Sequence, residues 1–145
     1  LDPDDLTVQA GLGQSLIHLQ RHEEALSHYF KVEVLSPENQ RIRRPLAWCL
    51  FLTGKLDSAR DYLERLLADE PDNKHDLMNH GHVCFCMGHA DKALASYAGS
   101  LKAWGDTSAF SLSFQEDARH LIACGVTERD IKLMLDYVLL HAEGI

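Results

Sequence analysis

The chain has 145 residues, enough for one ordinary domain or about four small repeated units. Its net charge of −8 argues against nucleic acid or an anionic membrane as the main partner, since both demand a basic face. No apolar run approaches the ~20 residues that cross a bilayer, and 4 Pro and 9 Gly are too few for a low-complexity linker.

The first residues, Leu1-Asp2-Pro3-Asp4-Asp5, are acidic, lack a starting Met, and lack the basic and apolar regions of a secretory signal. They read as the end of a preceding unit, so the chain is expected to be a fragment. From Leu6 onward a period of 34 residues sets in: Ala25, Ala59 and Ala93 obey it, as do Glu23, Asp57 and Asp91. Gly54 and Gly88 share the same interval, and so do Pro37 and Pro71. A fixed period in this range means a stacked array of small supersecondary units. The units run over 6–39, 40–73 and 74–107, each with two helical segments around a short turn.

In the first unit, helices are predicted over 6–20 and 22–35. Gln9, Leu12, Gly13 and Leu16 mark one stripe of the first helix, and Ala25, Tyr29 and Val32 the buried stripe of the second. In the second unit the helices are predicted over 43–53 and 56–69. Arg43, Leu46, Ala47 and Leu50 repeat the first stripe, and Ala59, Leu63 and Leu66 the second. Pro45 would clash with a preceding helical turn, so the helix is expected to start near Arg43 or Arg44, or to kink. In the third unit the helices span 74–87 and 90–103, with Leu77, His80, Gly81 and Cys84 facing Ala93, Tyr97 and Ser100. The small residues Gly13, Ala47 and Gly81 allow two helices to approach closely. Gly54 and Gly88 supply a left-handed turn after the first helix. Gln20 stands at that place in the first unit, so its turn is expected to be built differently.

Residues 108–145 do not repeat the signature. A helical pair is still predicted, over 109–124 and 127–141. Phe110, Phe114, Leu121 and Ile122 give the first helix its apolar face. Ile131, Met134, Leu135, Val138 and Leu139 give the second its own, and Thr127 with Asp130 resembles a capping box. The pair reads as a cap or a degenerate fourth unit, since a stack needs a wetter terminal face.

The period, the Leu12-Gly13 pair, the mid-unit Ala, the later aromatic and the closing Pro resemble the tetratricopeptide repeat. The resemblance covers residues 6–107. It implies an all-α fold, an α-solenoid of antiparallel helix pairs wound as a right-handed superhelix, and a function in protein–protein interaction. In that family the first helix of each unit lines an inner concave surface that contacts peptides. The corresponding positions here are Thr7, Ala10, Gln14, Ile17 and His18 in the first unit. In the second they are Arg41, Arg44, Trp48, Phe51 and Leu52, and in the third His75, Met78, His82, Phe85 and Cys86. Gln14, His18, Arg41, Arg44, Trp48, Phe51, His82 and Phe85 are therefore the candidate binding residues. Arg41, Arg43 and Arg44 occur with no acid between Gln40 and Thr53, in a chain that is otherwise acidic. Arg grips carboxylates through two parallel hydrogen bonds, and Arg and Trp often dominate interface energetics. The expected partner is thus a protein or peptide carrying an acidic or C-terminal carboxylate group; a second copy of the chain is another occupant such a groove accommodates. Family members that clamp the C-terminus of a chaperone peptide use a Lys and two Asn. Ala10, Gln14 and Pro45 stand at those places here, which argues against that specific activity.

The four cysteines, Cys49, Cys84, Cys86 and Cys124, do not resemble a disulfide framework; Cys84 and Cys86 are expected to point about 200° apart on one helix. Free thiols favour a reducing, cytoplasmic location. The alternative functional reading is metal binding. Met78, His82, Cys86 and His89 share a stripe, and His82, Cys86 and His89 could hold zinc or copper. No Cys-x-x-Cys accompanies them, so no cofactor is expected. No G-x-S-x-G or P-loop motif supports an enzyme.

Overall fold

Every predicted helix forms in the computed structural model, which describes residues 6–38 and 40–141, with side chains described for 9–38 and 40–141. Among these residues there are eight α-helices and no strand: α1 Leu6–His18, α2 His22–Leu35, α3 Arg43–Leu52, α4 Leu56–Asp69, α5 Lys74–Cys86, α6 Ala90–Trp104, α7 Thr107–Ala123 and α8 Glu128–His141. A 3-10 turn, Gln40–Ile42, precedes α3. The reading of residues 1–5, the Thr7 side chain and the unit boundary at Asn39 lie outside the described residues. No described helix is long and apolar enough to cross a membrane.

Local chemistry sets the helix ends. The Asn73 side chain accepts from the amides of His75 and Asp76 at 3.1 and 3.0 Å, and Asp106 caps α7 through Ser108 and Ala109. Thr127 accepts from the Asp130 amide at 3.1 Å, the forward half of the expected capping box. Pro45 is the third residue of α3. Within the first turn its missing N–H has no intrahelical partner to lose, so the helix starts at Arg43 without a break.

The turn after α1 differs from expectation. Gln20 takes a left-handed φ of 60°, matching 78° at Gly54 and 81° at Gly88. Arg21 N bonds Leu16 O at 2.8 Å, as Lys55 N bonds Leu50 O and His89 N bonds Cys84 O. The closure is the same; only the residue is strained. An L side chain in that region costs about 1–2 kcal/mol. Gln20→Gly should therefore raise the unfolding free energy by about 0.5–1 kcal/mol, the relief being partly offset by the greater freedom of Gly in the unfolded chain. A denaturation midpoint that falls instead would mean Gln20 is held by contacts worth more than its strain.

The fourth pair repeats this closure out of register. Gly125 has φ 97°, and Val126 N bonds Leu121 O at 3.1 Å. Gly125 follows Gly88 by 37 residues (125 − 88), three beyond the period. The extra length lies in α7, whose 17 residues exceed the 13 of α1 and α5.

The chain forms two compact units divided between Tyr62 and Leu63, inside α4. In the first, α1 packs on α2 and α2 on α3, burying Ala25, Tyr29, Val32, Leu46 and Leu50. Leu12 was expected in this core but stays 43% exposed, because α1 packs chiefly on α2 and leaves that side open. In the second unit α5 packs on α6, α6 on α7 and α8, and α7 on α5 and α8. Its centre is aromatic: Tyr97 meets Phe114 edge-on at 5.2 Å, and Phe114 stacks on Phe110 at 6.2 Å. Each unit contains a glycine pressed against a tyrosine. A Cβ on Gly13 would lie 2.8 Å from the Tyr29 ring, and one on Gly81 2.6 Å from the Tyr97 ring.

Candidate functional site

Most helices begin with acids near the positive end of their dipole: Glu23 and Glu24 in α2, Asp57 in α4, Asp76 in α5, Asp91 in α6 and Glu128 and Asp130 in α8. In α3 the first turn has no acid and contains Arg43 and Arg44, just after Arg41 of the 3-10 turn. Cations at that end add to the dipole and lower local stability by about 0.3–1 kcal/mol each when exposed. Arg41 and Arg44 are exposed; Arg43 is half-buried and donates to the carbonyl of Pro37 at 3.1 Å. One turn on, Trp48 is half-buried, with its ring 5.5 Å from that of Phe51. Phe51 was expected on the surface but is only 2% exposed, so it supports Trp48 from within the core. Gln14 and His18 are exposed on α1, 3.4 Å apart, and Gln14 also accepts from the Tyr29 hydroxyl at 3.4 Å.

His82, also expected on the binding surface, is fully buried in the second unit. Its Nε2 lies 3.0 Å from an Asp117 oxygen and its Nδ1 2.7 Å from the Tyr97 hydroxyl. A carboxylate only accepts, so Nε2–H donates to Asp117, while Nδ1 shares a hydrogen bond with the Tyr97 hydroxyl. Burial, assisted by neighbouring Cys86, Asp117 and Cys84, pushes the Tyr97 phenol well above its usual range and keeps it protonated. This triad joins α5, α6 and α7. The physical reason for the correction is α7, which packs over the face of α5 that the period alone would leave open. Phe85, three residues on, is half-buried and meets Tyr97 edge-on at 6.4 Å.

Asp117 carries no signal at the repeat period, and sequence reasoning missed it. Asp117→Ala strands the buried Nε2–H and should cost about 1–2 kcal/mol of stability. Asp117→Asn, which keeps an acceptor oxygen, should recover part of the loss. Equal destabilisation by both in urea titration would remove the hydrogen bond from the account.

The triad also bears on the metal reading. Both ring nitrogens of His82 are engaged, and His80 likewise bonds Ser96 at 2.7 Å and approaches Glu64 at 3.4 Å. Among the described residues no group of three or more His, Cys, Asp or Glu side chains is arranged to hold a metal ion. A second feature escaped the sequence reading. A groove of about 420 Å³ between α7 and α8 is lined by Phe114, Gln115, Ala118, Ile122, Ile131 and Lys132. Beyond it Leu133, Tyr137 and Leu140 are exposed on α8. Their i, i+4, i+7 spacing was legible but was overshadowed by the stronger buried stripe of Ile131, Leu135 and Val138.

Residues 31–77 match the family model of the tetratricopeptide repeat. No curated protein matches the chain. Among solved structures it is similar to MamA, known from a crystal structure, with a TM-score of 0.68 and 20% identity over 99% of this chain and 81% of that one. The described residues form an all-α fold of paired helices, and residues 31–77 match the tetratricopeptide repeat. Repeat and fold together support a protein–protein interaction scaffold.

Proposed function

We propose that this tetratricopeptide-repeat chain binds a protein segment in which an acidic side chain or a free C-terminal carboxylate sits beside an apolar or aromatic group, and that Arg41, Arg44 and Trp48 receive it. The observation that carries this reading is the reversed charge at the start of α3. Exposed arginines at a helix N-terminus lower the stability of the fold, and an anion bound there would offset that loss. Trp48 offers a half-exposed ring one turn away, braced by buried Phe51. Charge and apolar surface thus lie on α3 and the 3-10 turn before it, within one compact unit. The partner's carboxylate would take parallel hydrogen bonds from a guanidinium, and its side chain would cover the indole.

The test is a peptide array of acidic-aromatic C-termini, each made with a free and an amidated carboxylate, titrated at two salt concentrations. Arg44→Glu should weaken binding at least ~10-fold and flatten its salt dependence, because an exposed attraction is screened over about 10 Å at 0.1 M salt. Trp48→Ala should weaken binding while the salt dependence persists. Affinity indifferent to both substitutions would move the contact away from α3.

A further inference from the structure

Helix α8 has two apolar stripes. Ile131, Leu135 and Val138 turn into the second compact unit and are buried, while Leu133, Tyr137 and Leu140 stay 53, 49 and 76% exposed. At about 100° per residue these three fall within about 60° of one another, opposite the buried stripe. Exposed apolar residues at i, i+4 and i+7 are the pattern by which one amphipathic helix docks on another.

The flanks of the stripe identify the second helix. Asp130 and His141 are exposed and share one flank, at about 60° and 80° from Leu133. The His141 ring stacks on Tyr137 at 4.0 Å, and its Nδ1–H donates to the Tyr137 carbonyl at 2.9 Å. With Nδ1 engaged, an outside carboxylate would meet Nε2. The stripe is centred between residues 136 and 137, midway from Leu133 to Leu140. The charged flank is centred between residues 135 and 136, midway from Asp130 to His141. These centres differ by one residue, about 1.5 Å along the axis. A two-fold axis at that point reverses the helix direction and keeps the flank. It sets Leu133 against the partner's Leu140 and Asp130 against the partner's His141 in one step. It also lays the two helix dipoles antiparallel. An anionic membrane is a poorer occupant, because Asp130 and Asp136 flank the stripe where such a surface needs Lys or Arg.

We infer that α8 is a self-association surface, on which two copies of the chain pair their α8 helices antiparallel about a two-fold axis. The contact is isologous, so it closes as a dimer and does not propagate. No residue of α3 takes part, and the pairing stands independently of the binding proposed above. Asp136 opposes the arrangement: on the other flank, at about 60° from Leu133, it faces the partner's Asp136 across the axis. Like charges at that point keep the dimer weak.

The experiment is sedimentation equilibrium of the full chain at about pH 6, where an ordinary imidazole is mostly charged. One helix–helix contact is smaller than the roughly 1,600 Å² of a standard interface, so Kd should be on the order of 100 μM. Leu140→Glu, at an exposed position outside the core, should raise Kd at least ~10-fold. His141→Ala should raise it about 3-fold, the effect of an exposed charge pair. Asp136→Asn should lower Kd about 3-fold, and a gain of affinity does not arise from a folding defect. A wild type that stays monomeric to about 1 mM would overturn the interface. So would assemblies larger than a dimer, or a Kd indifferent to these substitutions. Weaker pairing in Asp136→Asn would overturn the antiparallel register.

Discussion

Tyr97→Ala should destabilise the second compact unit by about 3–5 kcal/mol, the range for removing a large aromatic from a packed core. Tyr97 is fully buried, and its ring touches Phe85, His82 and Phe114 at centroid distances of 6.4, 5.4 and 5.2 Å. Truncation leaves a cavity among them and removes the hydroxyl bonded to His82. Tyr97→Phe separates the two losses: the ring stays, and only the hydrogen bond goes, for about 1–2 kcal/mol. Urea unfolding of the two variants should therefore differ by about 2–3 kcal/mol. If Tyr97→Phe is as damaging as Tyr97→Ala, the hydroxyl network dominates and packing is secondary.

The 34-residue period located this tyrosine because it repeats a packing requirement. Ala25, Ala59 and Ala93 are each 0% exposed, and Tyr29 and Tyr97 sit at equivalent places against Gly13 and Gly81. What period alone could not show falls into three physical kinds. Backbone strain hides from residue type: Gln20 takes the glycine conformation without being glycine. Long-range partners hide where the register shifts: Asp117 lies on α7, the helix that carries the three-residue excess, so no repeat position pointed to His82 as its partner. Burial at the edge of a stripe hides from angle: Trp48 and Phe51 lie only about 60° apart around the helix, yet one is half-buried and the other buried. The arginines at the start of α3 were legible because charge against a helix dipole is a local conflict, visible without knowing what packs where.

The two helix glycines Gly81 and Gly11 should respond to alanine with opposite signs. Ala in place of Gly inside a helix gains about 1 kcal/mol from propensity. At Gly11, exposed in α1, an added Cβ meets nothing within 4 Å, so that gain should appear whole. At Gly81 the same Cβ would stand 2.6 Å from the Tyr97 ring and 2.7 Å from its Cδ1. That ring cannot swing away, being held by its hydroxyl bond to His82 and by Phe114. Overpacking of about 2–3 kcal/mol then exceeds the propensity gain, leaving Gly81→Ala about 1–2 kcal/mol less stable. Paired thermal unfolding should place Gly11→Ala above the wild type and Gly81→Ala below it. Stabilisation at both positions would mean α5 and α6 can separate by a few tenths of an ångström at no cost, and that the glycine is not what sets their approach.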